Sequence, residues 1–312
     1  MNLLEAMRYL AALEQHRHFG RAAQACHITQ PALSNAVRAL EEEFGVAIVR
    51  RGRQYEGLTP EGERVLAAAH RMLHEREALR QELRSAAGQP QGGLAIGAVP
   101  TAAPVAARFA AWLQARHPSL RPAVRSLSST EIETGIDALS LDIAFGYTDR
   151  LSARRVEVLP QYTEHYFLLR RAEVPGTPRI GEPITWHDAA QRPLCMLTPE
   201  MHNRAIIDAS FAAAGAHVTP AIETNSVLTL VLSVVAGEVC SVMPGALVAL
   251  ALQYPELQAL PLTEPQVLTP IGLLLPTHAR RSLAQQAALK LAQDEQWLAH
   301  AAAHSGPLSF AG

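Results

Sequence analysis

The sequence predicts an α+β multidomain chain, with a winged helix-turn-helix at the N-terminus, a long linker helix and a larger C-terminal α/β domain. Three observations predict it. Two helical runs meet at a tight turn between residues 20 and 45, and an apolar, then basic, stretch follows to Leu58. A helical pattern then runs from Thr59 to Ala87. Beyond a cluster of Gly88, Pro90, Gly92 and Gly93, β-type and helical runs alternate to His300.

Bulk properties agree with this division. A chain of 312 residues exceeds what one small core organises, so two or three compact units are expected. With 48% apolar and 18% charged residues, the composition is that of an ordinary soluble globular protein. The first twenty residues carry acids and arginines at helical spacing, unlike a secretory signal. The richest apolar stretch, Val227 to Val235, is too short to cross a bilayer. A cytoplasmic location with no membrane partner is the expectation. Cys26, Cys195 and Cys240 are odd in number and far apart, which argues against a disulfide framework or a CxxC metal site. Net charge is only -2, so any basic surface must be local.

Taken in order, residues 3–15 place Leu3, Leu4, Met7, Leu10 and Ala11 on one helical face, with Glu5, Arg8 and Glu14 opposite. A second helix runs from about Gly20 to Cys26. Thr29 can cap a third, which tolerates Pro31 in its first turn and ends at Gly45. Ala47 to Leu58 reads as two short strands joined at a tip, a wing. Thr59, Pro60, Glu61 and Glu63 open the long helix, whose apolar positions Val65, Ala69, Met72, Leu79 and Leu83 recur every three or four residues, interrupted by Arg76. The expected bounds are 1–58 for the DNA-binding domain, 59–87 for the linker helix and 88–93 for the hinge. In the α/β half, LAIGAV, RPAVRSL, LDIAFG, HYFLLRR, PLCML, AIETN, EVCSVM and LTPIGLLLP read as strands, and their alternation with helices argues for a parallel sheet. One helix from Arg280 to His300 and a polar tail, 305–312, complete it.

The chemistry concentrates in FGRAAQACHITQPALSNAVRALEEEFG, where a second helix opens with residues able to touch base edges. Gln30, Ser34, Asn35 and Arg38 share a face, away from Ala32, Leu33, Val37 and Leu40. Amides can pair with adenine and arginine with guanine. Arg50, Arg51 and Arg53 follow on the wing, where cations meet phosphates or the minor groove. Beside Glu41, Glu42 and Glu43, the same arginines also read as a solvated mixed-charge surface.

AAQACHITQPALSNAVRALEEEFG and the Leu58-Thr59-Pro60-Glu61-Gly62 step resemble the LysR-type transcriptional regulators. LSLDIAFG and VVAGEVCSVMP carry the likeness into the second half. Val49 stands where that family often has phenylalanine. The resemblance implies that Thr29, Gln30, Pro31, Ser34, Asn35 and Arg38 lie against promoter DNA and that the long helix pairs with a second subunit in a homodimer or homotetramer. It also implies a two-lobed, periplasmic-binding-protein-like effector domain over 94–304, with lobe I formed by 94–161 and 268–304 and lobe II by 162–267. RNA polymerase is the further partner implied.

Ligands in such folds lie between lobes, where helix N-termini favour anions. Pro100, Thr101, Ser128, Ser129 and Thr130 on one side, with Met201, His202, Asn203 and Asn225 on the other, are the candidate effector contacts for a small anionic metabolite. The hydroxyls serve equally as helix caps, and an exposed loop histidine is more often only solvated. No GxGxxG, Walker, HExxH or GxSxG pattern points to catalysis or a cofactor. His70 and His74 lack a third metal ligand. Cys195 and Cys240 sit in apolar strands and read as inert thiols, with a redox switch as the rival. An enzyme built on the α/β half is the remaining rival.

Overall fold

The computed structural model describes residues 2–50, 55–84, 89–149, 156–173, 179–277 and 281–308. The N-terminal unit packs α1 (Leu3–His16), α2 (Phe19–Ala25) and α3 (Gln30–Phe44) against the first half of α4 (Pro60–Arg84). Local chemistry sets each boundary. Asn2 caps α1, the His18 ring caps α2, and Thr29 accepts from the Ala32 amide at 3.3 Å. Gly45 ends α3 in the left-handed conformation. Met7, Leu10, Leu13, Leu33, Leu40 and Ile48 fill the core.

The wing is anchored from below. Glu41 accepts from the Ile48 and Val49 amides, and the Tyr55 hydroxyl donates to Glu14. Of the two expected strands, the described residues show one antiparallel bridge, Val49 to Leu58. Arg51 and Arg53 lie outside the described residues, as do Ala87 and Gly88 at the linker's end. The expected apolar stripe of α4 divides in two. Ala69 is buried against α1, with Val65 beside it, whereas Met72, Leu79 and Leu83 are exposed. Arg76 reaches back to Glu5 at 3.5 Å.

The α/β part begins with β1 (Gly92–Ala98), a 3-10 turn (Pro100–Ala102), α5 (Ala103–Arg116), β2 (Leu120–Ser126), α6 (Ser129–Asp137) and β3 (Ile143–Tyr147). It continues through β4 (Val156–Arg171), β5 (Ile184–Thr185), α7 (Trp186–Ala189), β6 (Cys195–Leu197), α8 (His202–Ala213) and β7 (Ile222–Thr224). α9 (Val227–Ala236), β8 (Ser241–Pro244), α10 (Gly245–Ala251), β9 (Leu257–Thr263), β10 (Leu268–Pro276), α11 (Leu283–Ala292) and α12 (Glu295–Ala303) complete the order.

The sheet is mixed, not parallel. β1 pairs β2 and β3 in parallel, but β10 runs antiparallel to β3 and β4, and β4 runs antiparallel to β8 and β9. The reason is topological. The chain leaves the first lobe along β4 and returns along β10, and two adjacent passes in opposite senses pair antiparallel. β4 accompanies β10 up to the His165–Leu268 pair and from Tyr166 onward takes β8 and β9 instead. One apolar core lies under β1, β3 and β10, and others flank the second half of β4.

Two expectations change at the C-terminal end. The helix expected from Arg280 to His300 is two helices, broken at Gln293–Asp294, with Asp294 capping α12. Trp297 donates to Gln161 at 2.8 Å and so ties α12 to the crossover strand. The expected polar tail turns back: Leu308 is buried in the core of the second lobe, and Gly245 lies against the Ser305 and Gly306 carbonyls, where a side chain has no room. The apolar runs LVALA and LQALPLT form α10 and β9.

The step into α4 depends on Gly62. Thr59 binds the Ile48 carbonyl through its amide and the Ala47 carbonyl through its hydroxyl, and this draws the Gly62 Cα against Ile48. An added Cβ would stand 2.1 Å from the Ile48 oxygen. Gly62→Ala therefore gains helix propensity but forces the backbones apart. We expect a net loss of about 1–3 kcal/mol in urea denaturation, and an unchanged midpoint would refute the close-packing argument.

Candidate functional site

The exposed edge of α3 carries the expected row. Thr29, Gln30, Pro31, Asn35 and Arg38 face solvent, and Ser34 is half-buried, while Leu33, Val37 and Leu40 anchor the opposite face. The helix pattern thus places amides and a guanidinium where they can reach base edges. Arg50 is exposed but tethered, its Nε donating to the Leu58 carbonyl at 2.8 Å.

The expected effector residues separate into groups. Thr101 is completely buried and shares a hydrogen bond with the Tyr147 hydroxyl at 2.9 Å. The His202 ring packs edge-on to Tyr147, with centroids 4.8 Å apart, and Asn203 donates to the Tyr166 hydroxyl at 3.3 Å. Thr101, His202 and Asn203 therefore meet through two tyrosines. Pro100 and Asn225 instead line an open cleft of about 990 Å³ with largely apolar walls from α5, α9 and α10. Ser128 is spent on a capping box with Glu131, and Thr130 is exposed on a groove shared with α4. The Ser129 hydroxyl is buried and meets no partner among the described residues. Met201 is the uncapped N-cap position of α8, packed against the second lobe's core.

Sequence reasoning missed the centre of this cluster. Tyr162, Glu164 and Tyr166 alternate along β4 with Thr163 and His165, so all three side chains fall on the inner face of the crossover strand. Glu164 is fully buried, and neither carboxyl oxygen has a hydrogen-bond partner among the described residues. The Tyr162 hydroxyl is likewise unpartnered. Burial pushes Glu164 up to about 8; the Thr101 hydroxyl opposes this only weakly, being paired with Tyr147. Burial first, and Glu164 second, push all three tyrosines upward, so the phenols stay neutral. The alternation was legible in PQYTEHYF, but an isolated acid in a strand carries no motif.

Arg204 was also missed. Its guanidinium binds Asp208, Glu223 and the Leu197 carbonyl, at 2.7 to 3.0 Å, and locks the start of α8 onto β6 and β7. It positions His202 and Asn203. Cys195 and Cys240 are free and buried, and burial pushes both thiols up, which disfavours the reactive thiolate. The described residues contain no cluster of three metal-ligating side chains, and no described helix is long and apolar enough to cross a membrane.

Two sequence families match the chain. The first, described as bacterial regulatory helix-turn-helix protein of the lysR family, covers residues 4–63, and the LysR substrate binding domain covers residues 87–297. A hydrogen peroxide-inducible genes activator of Pectobacterium carotovorum subsp. carotovorum is 32% identical over 63% of this chain and 64% of its own length, just under two thirds of that relative. The DNA-binding transcriptional dual regulator OxyR of Escherichia coli K12 is 29% identical over 88% of this chain and 89% of its own. The structure of full-length CbnR, a LysR family regulator, bound to its target DNA superposes with a TM-score of 0.64 at 17% identity, covering 96% of this chain and 99% of that one, a likeness of fold.

The Glu164 environment predicts a stability signature. The ordinary glutamate value is 4.5 and the folded one about 8, so folding takes up a proton between them and stability falls as pH rises through that window. Glu164→Gln should remove that fall, so in urea denaturation the variant's advantage over the parent grows from pH 5 to pH 8. Parallel pH profiles for the two proteins would mean that Glu164 is solvated and ionised.

Proposed function

This chain belongs to the LysR family of bacterial transcriptional regulators, and we propose that it reads promoter DNA through the exposed edge of α3 and a small anionic effector through the cluster between its lobes. The observation that carries the first part is the solvent-facing row from Thr29 through Gln30, Pro31 and Asn35 to Arg38, with Ser34 at its edge. Arg50, Arg51 and Arg53 add phosphate contacts on the wing. For the second part, α8 begins without a side-chain cap at Met201, with Asn203 at its start, and Thr101 lies in the 3-10 turn that runs into α5. Uncapped amides at helix starts favour an anion.

On this reading the protein is a cytoplasmic one-component regulator. Met72, Leu79 and Leu83, exposed along α4 at spacings of seven and four, form the seam to a second subunit. The dimer or tetramer sits on a pseudo-palindromic site. Effector binding shifts the balance between two subunit arrangements and so changes what RNA polymerase meets. The α/β domain acts as the sensor, not as an enzyme. A peroxide-sensing reading is suggested by the name of the Pectobacterium relative; the buried, raised thiols of Cys195 and Cys240 weigh against it.

Two experiments test the reading. Gln30→Ala or Arg38→Ala should weaken specific DNA binding by about 1–3 kcal/mol, whereas Arg53→Ala mainly lowers the salt sensitivity. Equal loss on specific and random DNA for Gln30→Ala would contradict base reading. For assembly, Met72→Glu should shift the protein toward smaller species in light scattering at micromolar concentration, and an unmodified protein that is already monomeric there would overturn the α4 seam.

A further inference from the structure

The polar groups at the crossover of the two lobes do not balance. Facing Glu164 are Tyr147 from β3, Tyr162 and Tyr166 from β4 itself, Thr269 from β10, Thr101 from the 3-10 turn, and His202 with Asn203 from the start of α8. Asp149, itself acidic, is a further charge that bears on Tyr166. No lysine or arginine among the described residues is bonded to any of them. Thr101 is committed to Tyr147, and Thr269 and Asn203 are committed to Tyr166.

Burial disfavours the ionised carboxylate and outweighs the opposing pull of the Thr101 hydroxyl, and no described lysine or arginine pairs with it, so the resting side chain holds its proton. In that form it presents an O–H donor. Tyr162, two residues away on the same face of β4, presents a second. Two orphaned donors on one strand face call for acceptors, and a carboxylate group supplies two oxygens.

We propose that neutral Glu164 and Tyr162 each donate a hydrogen bond to the carboxylate of the effector, so that the anion is bound together with a proton. This rests on the interlobe reading given above and specifies the ligand class within it: small carboxylates, in preference to amides or amines. The balance is simple. The carboxylate enters as an anion, Glu164 keeps or takes up one proton from solvent, and no covalent bond forms or breaks. Proton coupling lets a site to which no described lysine or arginine is bonded hold an anion.

The test is titration calorimetry of the full-length protein with acetate, propionate, pyruvate and succinate, alongside acetamide and ethylamine, from pH 7 to 9.5. With Glu164 near 8, carboxylate affinity should fall about thirtyfold over that range, and paired buffers of different ionisation enthalpy should register about one proton taken up per carboxylate at pH 9. Glu164→Gln should flatten the pH profile and abolish the uptake. Tyr162→Phe, which keeps the ring, should weaken carboxylate binding about tenfold or more at pH 7. A flat profile for the parent, matched by Glu164→Gln, would overturn the proton coupling while leaving the anion site standing. Affinity that rises with pH, with ethylamine preferred, would overturn it in favour of an ionised Glu164 pairing with an ammonium group. Binding of none of the carboxylates would remove both the coupling and the anion reading on which it rests.

Discussion

Everything in the C-terminal half depends on two strands that cross between the lobes side by side. β4 and β10 pair from Val156–Pro276 to His165–Leu268, and the pairing ends where β4 turns to β8 and β9. A strand that serves two sheets has to present one face to whatever lies between them. Alternation puts Tyr162, Glu164 and Tyr166 on that face. The polar character of the junction follows from the backbone pairing, and both lobes converge on it through Thr101, Tyr147, His202 and Asn203.

The junction is polar without being basic. Among the described groups that face Glu164 none is a lysine or arginine, and the nearest strong cation in α8, Arg204, is saturated by two carboxylates and a carbonyl. On the proposed reading, hydroxyls, uncapped amides and a protonated acid hold the anion with little Coulombic attraction, and donor geometry sets the selectivity. Such a site is also sensitive to relative lobe position, because its groups come from both sides. On that reading, small shifts of α8 against β3 and β4 would change the number of donors available and so link occupancy to lobe geometry.

At the other end, the recognition helix is held by a short chain of backbone contacts. Glu41 grips the Ile48 and Val49 amides, Thr59 grips the Ala47 and Ile48 carbonyls, and Gly62 lets α4 start in contact with that segment. The exposed row of α3 and the long helix are thus joined in one packed corner. α4 then touches the first lobe through His74, 3.7 Å from Asp142, whose other oxygen accepts from the Ala95 amide. Helix, wing and lobe share a continuous path of packed groups.

The sequence by itself determined the helix-turn-helix, because Thr29, Pro31, Gly45 and the apolar period of α3 act within one or two turns of themselves. It determined the start of α4 for the same reason, through Thr59 and Pro60, and the β/α alternation of the second half through short runs of clear period. The tertiary structure alone decided the mixed sheet, since strand direction is set by two distant passes of the chain and not by any local preference. It alone decided that Ala69 is core while Met72 and Leu79 are surface, because α1 covers only one side of α4. It also decided the fate of Leu308 and the break at Asp294. Above all it decided Glu164, whose letter in the chain is that of any solvated acid. Its burial comes from strands, a turn and a helix brought in from four separate stretches of sequence, and burial is the physical reason that its carboxyl is pushed up to about 8.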